Sequence, residues 1–297
     1  MRTDLRCPVC DSPLAAVERA FTCAQGHSFD RARQGYVNLL RRTRLRGDTP
    51  EMLQARRRFL DAGWYAPLAD AICEEVGVWL AEAGAALPLE ARALLDAGCG
   101  EGYYLRRLIE TLAPALAAGC WRLYGLDLAK EAVRMAAARL EQPSQRATWL
   151  VASSKDRLPF ADACVGALLT IFAPRHAPEL ARVIAPGGLL LVVTPTGEHL
   201  TEARAALPWL LAPEPIKDAR LRATLEGTFT LVEERAVRFR MSLDDAALAD
   251  LALMAPHRTA ASETLTAAAR EATAHALDGR LEVRVSCIVR RYARHGM

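Results

Sequence analysis

No apolar run in this chain approaches the ~20 residues that a helix needs to cross a bilayer. The opening residues, MRTDLRCPVC, lack the apolar stretch of a secretory signal and are charged instead, with two early cysteines. Together these absences argue against a helical membrane protein and a secreted one, and they predict a cytoplasmic protein with no membrane partner. There is no internal repeat, which excludes solenoids and propellers. The alanine-rich stretch 243–276 is helical in character rather than low-complexity. Bulk charge is also small, at +3 over 297 residues, with ordinary globular fractions of 52% hydrophobic and 25% charged residues. Such a chain can bury a sizeable core, and its length suits one large domain with a small appendage.

The charge that is present is unevenly placed. Residues 31–60 hold nine arginines (31, 33, 41, 42, 44, 46, 56, 57 and 58) against Asp48 and Glu51, a net of +7 that leaves −4 for the rest. Polarity of this kind points to an anionic partner, with nucleic acid foremost, or else to a solvated connector. The eight cysteines divide similarly. Cys7, Cys10 and Cys23 cluster, whereas Cys73, Cys99, Cys120, Cys164 and Cys287 stand singly. In a reducing compartment the cluster reads as metal chemistry and the single thiols as small core residues.

The cluster has zinc spacing. Cys7-x2-Cys10-x12-Cys23-x3-His27 offers four ligands, with a CxxC knuckle on one side and Gly26 bending the chain before His27 on the other. Four ligands with no open position predict a structural tetrahedral Zn2+ site, which would staple a module too small to fold on its own core. A zinc-binding module is therefore expected over 1–40, followed by a basic helical linker over 41–85. In that linker Asp48 or Thr49 caps a helix that starts at Pro50 and breaks at Gly63, and a second helix runs from about 66 to 83.

From about residue 86 to 297 the pattern alternates between strand and helix, which predicts an α/β, doubly wound sheet with its last strands inserted antiparallel. Its first strand ends in Asp96-Ala-Gly98-Cys-Gly100-Glu101-Gly102. Glycines at this position let the backbone pass close under a ligand. Asp127, ending the next strand, suits the two hydroxyls of a ribose. The loop is GxGxG behind an acid, a pattern that favours the cationic methionine end of S-adenosylmethionine over a pyrophosphate. Pro186-Gly-Gly188 before an apolar strand fits the same reading. The alternative for this loop is NAD(P).

More specific strings span nearly the whole chain: Cys7-Pro-Val-Cys10, His27-Ser-Phe-Asp30, Gly35-Tyr-Val-Asn-Leu-Leu40, Gln54-Ala-Arg-Arg57, Phe59-Leu-Asp-Ala-Gly63, Asp96 to Tyr104, Val151-Ala-Ser-Ser154, Arg157-Leu-Pro-Phe160, Thr194-Pro195 and His199-Leu200. In these the chain resembles the bacterial 23S rRNA guanine-N1-methyltransferase family. The resemblance implies a seven-stranded class I (Rossmann-like) methyltransferase sheet, methylation of guanine N1 in a hairpin of 23S rRNA, and a homodimer. It implies that Cys7, Cys10, Cys23 and His27 hold zinc and that Tyr65, Gly100, Glu101 and His199 touch the cofactor. Two departures stand out. Lys155-Asp156 lengthens the loop after Ser154 by one residue, and Phe172 replaces a tyrosine before Ala173-Pro174.

Guanine N1 carries a proton and lies on the pairing edge. The base must therefore be unpaired, and its proton must leave to a base or be eased off by donors at O6. Phe172, Pro174 and Arg175 at the fourth-strand end would shape a base pocket, or else pack in the core. His176, Asp156 and Asp162 are candidate bases, each equally readable as a cap or turn residue, and no catalytic residue is assigned. Tyr65 would close over the methionine end of the cofactor, or simply pack with Trp64. Reversing the charge of Arg41, Arg42 and Arg44 is expected to weaken RNA binding and flatten its salt dependence while sparing cofactor affinity; unchanged RNA affinity across a salt series would count against it. Two other functions fit the same motifs: a small-molecule methyltransferase with a structural zinc module, and a non-catalytic zinc nucleic-acid binder.

Overall fold

The computed structural model describes residues 4–40, 47–139, 147–213, 220, 222–255 and 262–295. Arg41, Arg42, Arg44 and Arg46 therefore lie outside the described residues. At the N-terminus, strands β1 (Leu14–Val17), β2 (Ala20–Cys23) and β3 (Ser28–Asp30) form a small antiparallel sheet. Strand β4 (Val37–Asn38) follows, then helices α1 (Pro50–Asp61) and α2 (Ala66–Glu82). Thr49 caps α1 by accepting from the Met52 backbone at 3.3 Å, and Pro50 occupies its first turn, where its missing N–H costs nothing.

The alternating segment supplies β5 (Ala93–Ala97), α3 (Tyr103–Ala118), β6 (Arg122–Asp127), α4 (Lys130–Ala137), β7 (Ala147–Val151), β8 (Val165–Ile171), α5 (Ala177–Val183), β9 (Ile184–Pro195) and α6 (Thr201–Ala206). Strand β10 (Phe229–Leu243), helices α7 (Asp245–Met254) and α8 (Ser262–Ala274), and strand β11 (Leu281–Arg294) complete it. The central sheet has the order β10-β11-β9-β8-β5-β6-β7-β4. Seven of these strands form the doubly wound sheet anticipated from the alternation; β11 is inserted antiparallel between β9 and β10, and β10, antiparallel to β11, runs in the direction of the others, so one of the last strands is reversed and not both. The eighth was not anticipated. Strand β4 lies in the stretch read as zinc module, yet it pairs in parallel with β7 through Val37↔Leu150 and Asn38↔Val151. The edge of the β5–β7 half of the sheet is thus closed by the N-terminal segment.

Period-two alternation sorts the strands between two cores. Leu94, Leu189, Leu191 and Val193 face a cluster with α1, α2, α3, α7 and α8. Leu95, Leu190 and Val192 face the other side, where Leu5, Leu14, Phe21, Val37 and Leu39 of the N-terminal segment join Phe160, Leu180 and Val183. The zinc module is therefore packed into one core of the larger domain. Buried Asp4 fastens it by accepting from Tyr124 Oη (2.7 Å) and Arg122 Nε (2.5 Å), and Leu5 bridges Phe160. Of the single cysteines, Cys73, Cys99, Cys164 and Cys287 are buried as expected, but Cys120 is exposed at a positive-φ turn. Among the described residues, no helix is long and apolar enough to cross a membrane.

Candidate functional site

Two constellations stand out. In the N-terminal module, Cys7 and Cys10 come from the turn before β1 and Cys23 from the end of β2. His27 follows a turn in which the Gly26 N–H donates to Cys23 O, with φ of 82° at the glycine. Their ligand atoms all lie within 4.8 Å of one another. Cys10 Sγ and Cys23 Sγ are 3.7 Å apart, and His27 Nδ1 is 3.4 Å from Cys23 Sγ and 3.6 Å from Cys7 Sγ. A tetrahedral zinc with Zn–S of about 2.3 Å sets its sulfurs ~3.8 Å apart, so the four donors fit the ion without rearrangement. The Ser12 hydroxyl and backbone hold the Cys10 thiol down to about 6, which favours the thiolate a metal requires.

The second constellation lies where β5, β6 and β8 end. Gly98 and Cys99 both donate backbone N–H groups to Leu126 O (2.7 and 3.0 Å), folding the loop back over β6. A Cβ on Gly98 would lie 2.4 Å from Ala173 Cβ, and Gly102, which starts α3 at φ 85°, has Trp149 and Ala136 within 3 Å of any added Cβ. Neither position tolerates a side chain. Asp127 accepts from Gly100 N (3.0 Å) and Ala129 N (2.8 Å). Asp96 is 1% exposed, and neither of its oxygens has a hydrogen-bond partner; Glu101 Oε1, equally buried, has none either. Burial, then the charges of Asp127 and Glu101, push the Asp96 carboxyl up to about 8. Burial likewise raises Glu101 and Asp127. Unpartnered buried carboxylate oxygens gathered on one loop suit a cationic ligand carrying hydroxyls and an ammonium, and disfavour a pyrophosphate.

Tyr65 and His199 meet across 134 residues of sequence, with Tyr65 Oη 3.2 Å from His199 Nε2. The Ser286 N–H donates to His199 Nδ1 at 3.3 Å, so the imidazole proton resides on Nε2, which donates to Tyr65 and leaves the phenol proton available to an acceptor. Burial, then Arg204, lowers His199 to about 4 and keeps it neutral. The Tyr65 ring also meets those of Phe59, Phe172 and Phe239, while Trp64 stacks beside Phe59 in the same cluster. Phe172 is not a core residue. It is 41% exposed, sits at φ 52° and lies 6.0 Å from His199. A bulky residue held in the left-handed region at a strand end marks a functional rim.

The candidate bases fare differently. Asp162 precedes β8, at the strand end opposite the glycine loop, and is paired with Arg182 (2.7 Å), which lowers its carboxyl; it is a structural acid. His176 is the exposed residue before α5, and Asp156 is exposed in the lengthened loop. Sequence reasoning missed Arg56. It was counted among RNA-facing arginines, yet it turns inward to the glycine loop, while Arg58 forms a two-pronged pair with Asp250. The string Gln54-Ala-Arg-Arg57 held the signal, but without coordinates the direction of each guanidinium was not readable.

Comparison with known proteins matches both parts of the chain to families. Residues 5–41 match the zinc-ribbon family described as RlmA, N-terminal, and residues 94–188 match the methyltransferase domain family. Zinc and S-adenosylmethionine are the cofactors of these two units. The chain is 41% identical over 253 residues (85% of this chain, 84% of the relative) to the 23S rRNA (guanine(748)-N(1))-methyltransferase of Streptomyces fradiae. It is 40% identical over 270 residues, with 85% of each chain covered, to a putative 23S rRNA (guanine-N(1)-)-methyltransferase of Micromonospora griseorubida. Its fold superposes on loganic acid methyltransferase with SAH at a TM-score of 0.59 and 11% identity, covering 79% of this chain and 95% of that one. With identity at this level along most of both chains, the protein belongs to the 23S rRNA guanine-N1-methyltransferase family.

Proposed function

We propose that the glycine-loop site holds S-adenosylmethionine and that this protein methylates N1 of a guanine in a hairpin of 23S rRNA. The observation that carries the cofactor assignment is Asp96, whose two buried oxygens lack partners at the end of β5. Bound there, the cofactor supplies a sulfonium-activated methyl group. Asp96 and Glu101 oppose its positive charges, and Asp127, already fixed by two backbone N–H groups, presents its remaining lone pairs to the ribose. Gly98, Gly100 and Gly102 keep the loop low enough for close approach. Tyr65, whose oxygen accepts from His199 Nε2, keeps its own hydroxyl proton for another acceptor, and the α-carboxylate of the cofactor is the acceptor of fitting chemistry.

The acceptor base must leave its helix, and the exposed ring of Phe172 beside Tyr65 and His199 offers a stacking surface for it. Neutral His199, with Nδ1 engaged by Ser286, serves to orient rather than to take the N1 proton. Zinc, held by Cys7, Cys10, Cys23 and His27, shapes the N-terminal module as an RNA-facing surface. The protein acts in the cytoplasm as a homodimer, a reading supported by the family resemblance. Three units are proposed along the chain: the zinc module over 1–40, the helical connection over 41–85 and the methyltransferase domain over 86–297.

Incubation with tritiated S-adenosylmethionine and unmodified 23S rRNA, followed by nucleoside analysis, is expected to give label in 1-methylguanosine. Label in a metabolite, or none, overturns the reading. Tyr65→Phe is expected to raise KM for the cofactor about tenfold with kcat reduced less than threefold, as for one lost hydrogen bond to a charged group.

A further inference from the structure

Strand β9 ends at Pro195, opposite Cys287 of β11. Beyond that point the turn carrying His199 takes over the edge of β11 that β9 leaves. Ser286 O accepts from Thr196 N (3.0 Å), and Arg284 O accepts from Leu200 N (2.8 Å). A side-chain bond between Thr196 Oγ1 and Ser286 Oγ, at 2.8 Å, adds a third tie. Ser286 presents its N–H on the same edge as its C=O, as in any antiparallel ladder, and His199 Nδ1 receives it at 3.3 Å. A second group reaches the same nitrogen: Cys287 Sγ lies 3.5 Å from His199 Nδ1. The thiol is fully buried and faces the same core as Tyr65. Burial pushes its ionisation far up, so it keeps its proton. Because the Nδ1 lone pair already accepts the Ser286 N–H, the thiol meets it as a second donor.

We infer that Cys287 is a positioning residue of the cofactor site: with the Ser286 N–H it holds His199 as the tautomer protonated on Nε2, and so leaves the Tyr65 hydroxyl proton directed toward the cofactor. The inference rests on the proposed cofactor site. A neutral imidazole has two tautomers, which differ in the nitrogen that donates. A proton on Nδ1 would face two donors and leave Nε2 as the acceptor. Nε2 lies 3.2 Å from Tyr65 Oη, so it would then claim the phenol proton for itself. The rings of Phe59, Phe172 and Phe239 against Tyr65 carry no acceptor to compete for that proton. Tyr65, His199, Ser286 and Cys287 are all buried, and burial makes a mismatched donor and acceptor costly. Cys287 is thus a core residue, as its isolation in the sequence suggests, but one whose sulfur also has a direction.

The test uses the full-length zinc-loaded protein with isotope-labelled histidine, and S-adenosylhomocysteine as an unreactive probe of the cofactor site. Proton–nitrogen correlation spectra report which nitrogen of each of the six imidazoles carries the proton, and the spectrum of His199→Asn assigns the signal. In the wild type, His199 is expected to show a single tautomer with its proton on Nε2. Cys287→Val keeps the bulk and suits a strand but removes the donor. It is expected to mix the two tautomers and to raise the Kd for the probe about three- to fivefold, as for one weak hydrogen bond. Cys287→Ser, which keeps a donor, is expected to restore the single tautomer and most of the affinity. In a Tyr65→Phe background, Cys287→Val is expected to change the Kd by less than about 1.5-fold, because its effect passes through the phenol. Cys287→Ala carries the same comparison if the valine variant does not fold. A single Nε2 tautomer or an unchanged Kd without the thiol overturns the inference. So does an equal loss of affinity in the Tyr65→Phe background, which would make Cys287 a packing residue only. Failure of the wild type to bind S-adenosylhomocysteine overturns the cofactor site itself, and the tautomer spectrum, read without the probe, tells the two failures apart.

Discussion

Asp96→Asn should make the empty protein more stable and nearly inactive at once. Asp96 is buried without a partner for either oxygen, and its carboxyl is pushed up to about 8 by burial, then by Asp127 and Glu101. An unfolded aspartate ionises near 4. Between those values the folded state holds a proton that the unfolded state has released, so stability falls as pH rises through this window and levels off above about 8. At pH 7 the burden is on the order of 4 kcal/mol, and asparagine, which never ionises, removes it. The expected outcome at pH 8 is a Tm raised by roughly 5–10 °C, with little difference from wild type at pH 4. The same change should lower kcat/KM for S-adenosylmethionine by at least about a hundredfold, since a buried carboxylate facing a cationic ligand is lost. Binding itself should release close to one proton at pH 7, because a cationic ligand draws the carboxyl toward its ionised form; calorimetry in buffers of different ionisation enthalpy measures this. A Tm difference that does not depend on pH, or binding with no proton released, would show that Asp96 is already ionised in the empty site.

Cys10→Ala is expected to cost more than its own module. Binding energy at a structural zinc is folding energy, about 10–16 kcal/mol in isolated zinc fingers, and residues 4–40 have few other means of holding their turns. Because this segment is packed into the sheet, loss of zinc should also free Asp4 from Arg122 and Tyr124 and take β4 from β7. A bare β7 edge is a pairing hazard. The variant should lose stoichiometric zinc, gain protease cleavage before residue 40, and aggregate or unfold at a lower temperature than the wild type. Retention of zinc together with unchanged protease resistance would rule out the four-ligand site. A chelator strong enough to strip zinc from the wild type should reproduce the phenotype.

Much of the framework was legible without coordinates. The element order from α1 to β11 follows from apolar periodicity, Thr49-Pro50 at a helix start, and glycine or proline at the breaks, because these are local effects that operate within a turn or a strand. The zinc ligands were legible because chelation demands soft donors at short spacing. Asp96, the glycine loop and Asp127 were legible because a tight strand-to-helix turn and a strand-end acid leave short signatures. The hydrogen bonds they make in the structure were not: the Gly100 N–H reaches Asp127 across 27 residues.

What escaped the sequence depends on distance along the chain. Composition treated Arg56, Arg57 and Arg58 as one basic run, but one turns to the glycine loop and another to Asp250 on α7, since neighbouring helical positions point in different directions. Asp162 read as a candidate base until the topology put it at the wrong end of β8. Phe172 read equally well as core, and only its left-handed backbone and its neighbours Tyr65 and His199 place it on the rim. By itself, then, the sequence determined that this protein is a zinc-stapled α/β methyltransferase with a basic arm, because metal spacing, loop glycines and strand–helix periodicity are written in adjacent residues. Only the tertiary structure decided that the zinc module is an edge of the sheet rather than an appendage, and that Asp48 and Arg56 pair beside Gly100 of the glycine loop, because burial and ion pairing are chosen among residues that meet only when the chain has folded.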